Sequence, residues 1–169
     1  ARLYQVAFGR DGTVWAVDGY GDRVHHFKQS GELIKTIGGG PPGKKIRVAR
    51  AYGELNHPFG LAVCRLSNSI YVAQGTLGGM TRISEFNQND GAFVRVLKAP
   101  GLSSGPTEPR GICLSPDETT LAVCDMRGTV KLIRIDGSAL ELTVIGEHGR
   151  DRGQISSPID ARITADGEK

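Results

Sequence analysis

Short apolar runs alternate with polar, glycine-bearing turns along nearly the whole chain. In DGTVWAVDGYGDRVHHFKQSGELIKTIGG, which begins at Asp11, three such runs occupy residues 14–17, 24–27 and 33–37. They are rich in strand-forming residues and are separated by Asp18-Gly19-Tyr20-Gly21-Asp22 and Gln29-Ser30-Gly31. Runs of that length between Gly, Asp and Ser turns predict antiparallel strands joined by hairpins. A fourth run, 4–8, precedes them across Gly9-Arg10-Asp11-Gly12. The four make a meander, and the pattern then returns twice.

In the second unit the matching runs are 60–64, 70–73, 83–86 and 93–97; in the third they are 111–114, 121–124, 130–135 and 140–145. The second strands read VWAVD, IYVAQ and LAVCD and end at Asp18, Gln74 and Asp125. The repeat is therefore 56 residues (18 to 74) and then 51 (74 to 125). Both exceed the 40–45 or so of a usual propeller blade, and the excess falls in the Gly/Pro-containing stretches 38–56 and 99–108. Each new unit opens on a similar lead-in: GELNHPFGLAV, GPTEPRGICLS and GQISSPIDARI. Proline suits a strand's first position because no ladder donor is required there. The last lead-in opens a further strand at 158–164. The chain thus divides into repeats of about 1–56, 57–108 and 109–157 with the start of a fourth at 158–169, all in one domain.

Taken together, these spacings resemble the NHL-repeat family, whose units are four-stranded blades of a β-propeller. The resemblance spans residues 4–167. It implies an all-β fold of about three four-stranded blades plus one extra strand, a partial propeller of NHL type. A single blade cannot bury both faces and packs on its neighbours around a channel. Alternation then places Phe93, Arg95 and Leu97 on one face and Val94 and Val96 on the other, with Arg95 reaching solvent from an outermost strand. Asp18 and Asp125 are expected to hold turn amides. Propellers close with four to eight blades. Missing blades of a longer chain, or a second copy, are therefore expected to complete the ring. They would cover outer faces bearing Val14, Val24, Phe27, Leu121 and Ile133.

Composition agrees with this class. A chain of 169 residues bounds one domain, and 24 glycines without helical periodicity favour many turns. A net charge of +3 is too mild to imply nucleic acid. Cys64, Cys113 and Cys124 lack CxxC spacing and cannot all pair within the chain, which favours reduced, partly buried thiols in a reducing intracellular compartment. No apolar run reaches membrane-spanning length and no signal or transit segment opens the sequence, so no membrane span is expected.

The sharpest enzymatic lead is AVDGYGDRVHHF, which resembles the corresponding stretch of peptidyl-α-hydroxyglycine α-amidating lyases, zinc-dependent propeller enzymes of the NHL group. The resemblance places the catalytic tyrosine on Tyr20. The zinc-binding histidine of that group follows a proline, where this chain has Pro58-Phe59, and His57 lies on the wrong side. Gly75 stands where a catalytic arginine is expected, and Pro109-Arg110 where another Pro-His pair would fall. These departures argue against lyase activity. His25 and His26 are adjacent on a strand and point to opposite faces, so they cannot share one ion; His148 stands alone in a turn. No metal ligand and no cofactor are assigned. Ser115 has no GxSxG around it, and the glycine run at 38–43 lacks a GK[ST] ending.

One charge feature stands out: GKKIRVARAY at 43–52 carries Lys44, Lys45, Arg47 and Arg50 without an acid. Such an insertion can meet an acidic protein, a phosphate backbone or anionic lipid, or simply be a solvated connection. Arg23 and Arg127, each in a turn after a second strand, would extend a positive rim if those turns share a face. The reading is a non-enzymatic NHL-repeat propeller scaffold for protein or macromolecular binding. A diverged zinc-dependent lyase-like enzyme and an RNA-binding NHL module are the alternatives.

Overall fold

Each of the twelve apolar runs folds as a strand, as its length, β-branched content and flanking turns require. The computed structural model describes residues 3–39, 53–75, 81–97, 108–137 and 141–165. Lys44, Lys45, Arg47 and Arg50 lie outside them. The first unit is β1 (Leu3–Phe8), β2 (Val14–Asp18), β3 (Arg23–Phe27) and β4 (Leu33–Gly38). The second is β5 (Pro58–Cys64), β6 (Ser69–Gln74), β7 (Arg82–Asn87) and β8 (Phe93–Val96). The third is β9 (Pro109–Leu114), β10 (Thr120–Asp125), β11 (Thr129–Arg134) and β12 (Glu141–Ile145). Each unit is one antiparallel sheet with its strands in sequence order, so each is a blade. No helix among the described residues is long and apolar enough to cross a membrane.

Alternation decides which side chains meet between blades. Trp15, Val17 and Val24 of the first blade pack with Leu61, Val63, Ile70, Val72 and Phe86 of the second. On its other side the second blade presents Ala62, Tyr71, Ala73 and Ile83 to Ile112, Leu121, Val123 and Ile133 of the third. Trp15 and Tyr71 fill one repeat position, and Val17 and Ala73 another, so the two seams are built in the same register. Val24, Leu121 and Ile133, expected on outer faces, are therefore seam residues and fully buried. The open face belongs to the first blade. Its Val6 and Phe8 are 52% and 70% exposed, whereas Leu61 and Val63 at the same repeat positions are 1% and 8%.

One expected alternation is broken by a bulge. Phe93 sits opposite Phe86 and Arg95 opposite Glu85, with the irregularity between them. The extra residue, Val94, puts Phe93 and Arg95 on opposite faces. Phe93 accordingly packs against the seam with the first blade, while Leu97 joins the seam with the third. Arg95 is exposed as expected and ion-pairs with Glu85 at 2.7 Å.

The segment 158–164 forms no sheet. The Gly111 amide donates to the Ile159 carbonyl at 2.9 Å, so the segment runs beside β9. Hydrogen bonds hold the turns at one end of the blades and join two blades at the other. Gly21 N donates to Asp18 and Arg127 N to Asp125, the turn amides those carboxylates were expected to hold. At the opposite end Glu118, 8% exposed, crosses from the third blade to accept bonds from Arg65 N at 2.6 Å, Leu66 N at 2.9 Å and the Arg65 guanidinium at 2.6 Å. All three cysteines are free thiols.

Candidate functional site

The first strand of every blade bulges at its start. The register slips between Leu3 and Val6, between Pro58 and Gly60, and opposite Pro109 where Asp125 and Val123 bracket the irregularity. The residue after each strand's first position is thereby turned out of the ladder; these residues are Tyr4, Phe59 and Arg110. Bulges re-aim side chains in this way, and here they gather one repeat position from three blades. Ile159, after Pro158 in the next lead-in, holds the fourth equivalent position. The following positions in the second and third repeats are Gly60 and Gly111. A Cβ there would run into the Arg110 and Ile159 carbonyls, so close approach of the inner strands requires glycine.

These side chains surround a cavity of about 490 Å³ lined by Tyr4, Phe59, Arg110, Met126, Ile159 and Asp160 among others. Tyr4 and Phe59 lie with ring centroids 4.7 Å apart. The Arg110 guanidinium stacks 3.7 Å over the Phe59 ring, a cation–π arrangement that fixes its plane. Its Nε donates to the Met126 thioether at 2.7 Å, and one terminal nitrogen lies 3.3 Å from Glu108. A guanidinium carries five N–H donors, so these two contacts leave it donor capacity for a further acceptor.

Tyr20 stands beside this cluster, half exposed, with its ring edge-on to His57 at 5.2 Å. His57 continues to Phe59 at 5.2 Å and Tyr4 at 6.3 Å. Its left-handed backbone (φ 48°) lets its amide reach the Asp22 carboxylate at 2.8 Å. The structure therefore brings Tyr20 and His57 together although the sequence placed His57 on the wrong side of the proline. Among the described residues no three His, Cys, Asp or Glu side chains converge as a metal site would require.

Arg23 and Arg127 are both exposed and flank equivalent turns: Arg23 follows the β2–β3 turn as the first residue of β3 rather than lying in it, and Arg127 sits within the β10–β11 turn. Asp22, from the first of these turns, binds the His57 amide just ahead of β5, and Met126 N donates to the Glu108 carbonyl just ahead of β9. Both turns thus lie at the end of the sheets where the inner strands start, the end that carries the cavity. Arg23 also lies 3.4 Å from Asp18. His25 and His26 diverge as alternation required. His25, half-buried, sits 3.8 Å from Asp18 and bonds Thr36 at 3.0 Å; burial, then the nearby Arg23 charge, holds its pKa below the usual value. His26 turns into the seam and stacks on Trp15, centroids 3.7 Å apart at 8°.

Sequence reasoning singled out Tyr20 but missed the binding potential of Tyr4, Phe59, Arg110 and Met126. The signal was present in the lead-ins HPFG, EPRG and SPID, where one column runs Phe59, Arg110, Ile159 after an aligned proline. Read only for a missing histidine, that column looked empty.

No family model matches the chain, and no curated protein matches it. Solved structures do. Hydrazine synthase of Kuenenia stuttgartiensis superposes with a TM-score of 0.68 at 16% identity, over 98% of this chain and 40% of that one. Virginiamycin B lyase from Staphylococcus aureus gives 0.56 at 17% identity over 85% of this chain and 40% of that one. The Cps50 (Swd1) β-propeller domain of Myceliophteria thermophila gives 0.57 at 14% over 85% and 39%. This chain spans about 40% of the length of those it resembles. At such identities the likeness concerns the fold alone, and that fold is a β-propeller, present here as three blades.

Proposed function

We propose that this chain is a segment of a non-enzymatic propeller scaffold, of the NHL type its repeats resemble, that binds a protein partner at the channel mouth. The observation that supports the reading most is the convergence of Tyr4, Phe59 and Arg110, one repeat position from three blades, around a single cavity. Tyrosine and arginine are among the residues enriched where binding energy concentrates at protein interfaces. Apolar walls with a few polar groups are the usual make-up of a binding cavity. The chemistry selects a segment with an apolar side chain for Tyr4, Phe59, Met126 and Ile159, and a carboxylate for Arg110. Arg23 and Arg127 at the same end favour an acidic partner, and Lys44, Lys45, Arg47 and Arg50 belong to the same reading. Further blades, from a longer chain or a second copy, complete the ring.

Affinity capture with the wild-type chain and with Arg110→Glu and Tyr4→Ala variants tests this. The reading requires a captured protein that survives nuclease treatment and is lost with either variant; capture that neither variant alters contradicts it. One contact keeps the lyase-like alternative in view, Tyr20 edge-on to His57. Stoichiometric zinc by elemental analysis, with turnover of a hydroxyglycine-extended peptide lost in Tyr20→Phe, would replace the scaffold reading. Salt-dependent RNA binding that weakens in Lys44→Glu/Lys45→Glu would favour the RNA-binding alternative.

A further inference from the structure

The seam between the first two blades contains a titratable group in an unusual setting. His26 is 8% exposed and Trp15 is 0% exposed. The rings stack nearly parallel with centroids 3.7 Å apart. Among the described residues, neither His26 ring nitrogen nor the Trp15 Nε1 has a hydrogen-bond partner. An imidazole without an acceptor for a second proton is comfortable neutral and costly charged.

The surroundings point the same way. Cross-strand, His26 pairs with Trp15 on β2 and with Lys35 on β4. The Lys35 ammonium donates to the backbone carbonyls of Gln88 and Asn89 in the β7–β8 turn, so it fastens the first blade to the second. Asp11, in the β1–β2 turn, supplies a negative charge that acts on the ring. The apolar side chains that the second blade brings to this seam are Leu61, Val63, Ile70, Val72, Phe86 and Phe93. Burial, with Lys35 adding to it, holds the His26 pKa below its ordinary value, and Asp11 opposes this.

We infer that the Trp15–His26 stack is an acid-sensitive latch: protonation of His26 loosens the first blade from the second. Charging the ring places a cation in an apolar seam, beside the lysine that holds the neighbouring turn. The direction follows from linkage. A histidine whose folded pKa lies below its unfolded value of about 6.5 contributes stability above that pH. It gives that stability up as pH falls toward the folded value, because the unfolded chain binds the proton first. Over that window the unfolding equilibrium shifts about tenfold per pH unit for one proton. His25, on the other face and beside Asp18, is not part of the device.

Trp15 is the only tryptophan in the chain, so its emission reports on the stack without labelling. The experiment titrates the intact chain from pH 7.5 to 4.5, following Trp15 emission and acrylamide quenching, with imidazole NMR to assign each histidine's midpoint. The latch predicts a His26 midpoint below about 6.5, and falling emission with rising acrylamide access through that midpoint. It also predicts that His26→Phe flattens the change while His25→Gln leaves it intact. If His26→Phe does not fold, the wild-type NMR and quenching data decide alone. A His26 midpoint at or above the ordinary value overturns the inference, as does a normal quenching profile through its titration.

Discussion

The carboxamide of Gln5 and the backbone of Ile112 exchange two hydrogen bonds between the inner strands of the first and third blades. Gln5 Nε2 donates to the Ile112 carbonyl at 2.9 Å, and the Ile112 amide donates back to Oε1 at 3.4 Å. The same Oε1 accepts the Leu61 amide at 3.0 Å. One side chain from the first blade thus holds the inner strands of the second and third.

Removing that carboxamide leaves two backbone amides and a carbonyl short of a partner. Gln5→Leu should cost about 1–3 kcal/mol, read as a lower denaturant midpoint at unchanged slope. A midpoint equal to wild type would mean that the clasp contributes nothing.

The second prediction concerns Glu118. Burial works to raise its pKa, but the Arg65 guanidinium and the Leu66 and Arg65 amides outweigh it and hold the carboxyl below its ordinary value. A depressed folded pKa contributes stability above the unfolded value, about 4.3, and loses it as pH falls through the folded one. Glu118→Ala should therefore destabilise by roughly 2–3 kcal/mol at neutral pH. The gap to wild type should narrow in acid, below pH 4. Parallel stability curves for the two proteins would contradict this.

Much of this architecture was legible in the sequence. The strands were, because glycine and aspartate turns punctuate runs of valine, isoleucine and leucine, and Asp18 and Asp125 could be recognised as turn-holders from their place after a second strand. The seam assignment was harder. Period-2 alternation says which residues share a face but not which face meets which blade, so Val24, Leu121 and Ile133 were assigned outward although they pack inward. The Val94 bulge and the three bulges under the cavity carry no periodic signature, so the sequence shows neither that Phe93 and Arg95 face opposite ways nor that Tyr4, Phe59 and Arg110 converge. The contact between Tyr20 and His57 depends on a left-handed residue that no motif announces.

Thiol chemistry supplies the third prediction. Burial pushes the Cys124 thiol up to about 11 and also raises Cys113. Thiolate is the reactive form, so iodoacetamide at pH 8 should leave the native Cys124 unmodified while Cys113, half-buried, reacts slowly. Peptide mass spectrometry before and after denaturation reads this out. Rapid alkylation of native Cys124 would mean that the far side of the third blade is open.

The central claim is that these three blades are part of a ring, with the Val6 and Phe8 face of the first blade formed to take another blade. Leu61 and Val63, and then Ile112 and Leu114, hold the same repeat positions and each pair is packed by the preceding blade. Several hundred Å² of apolar surface left bare would forfeit on the order of 10 kcal/mol at about 25 cal/mol per Å², comparable with a domain's whole stability. Light scattering on the 18.0 kDa chain at micromolar concentration tests this most directly. The account predicts a mass above that of the monomer, reduced toward it by Phe8→Asp. A monodisperse monomer that stays soluble and unfolds cooperatively would contradict it.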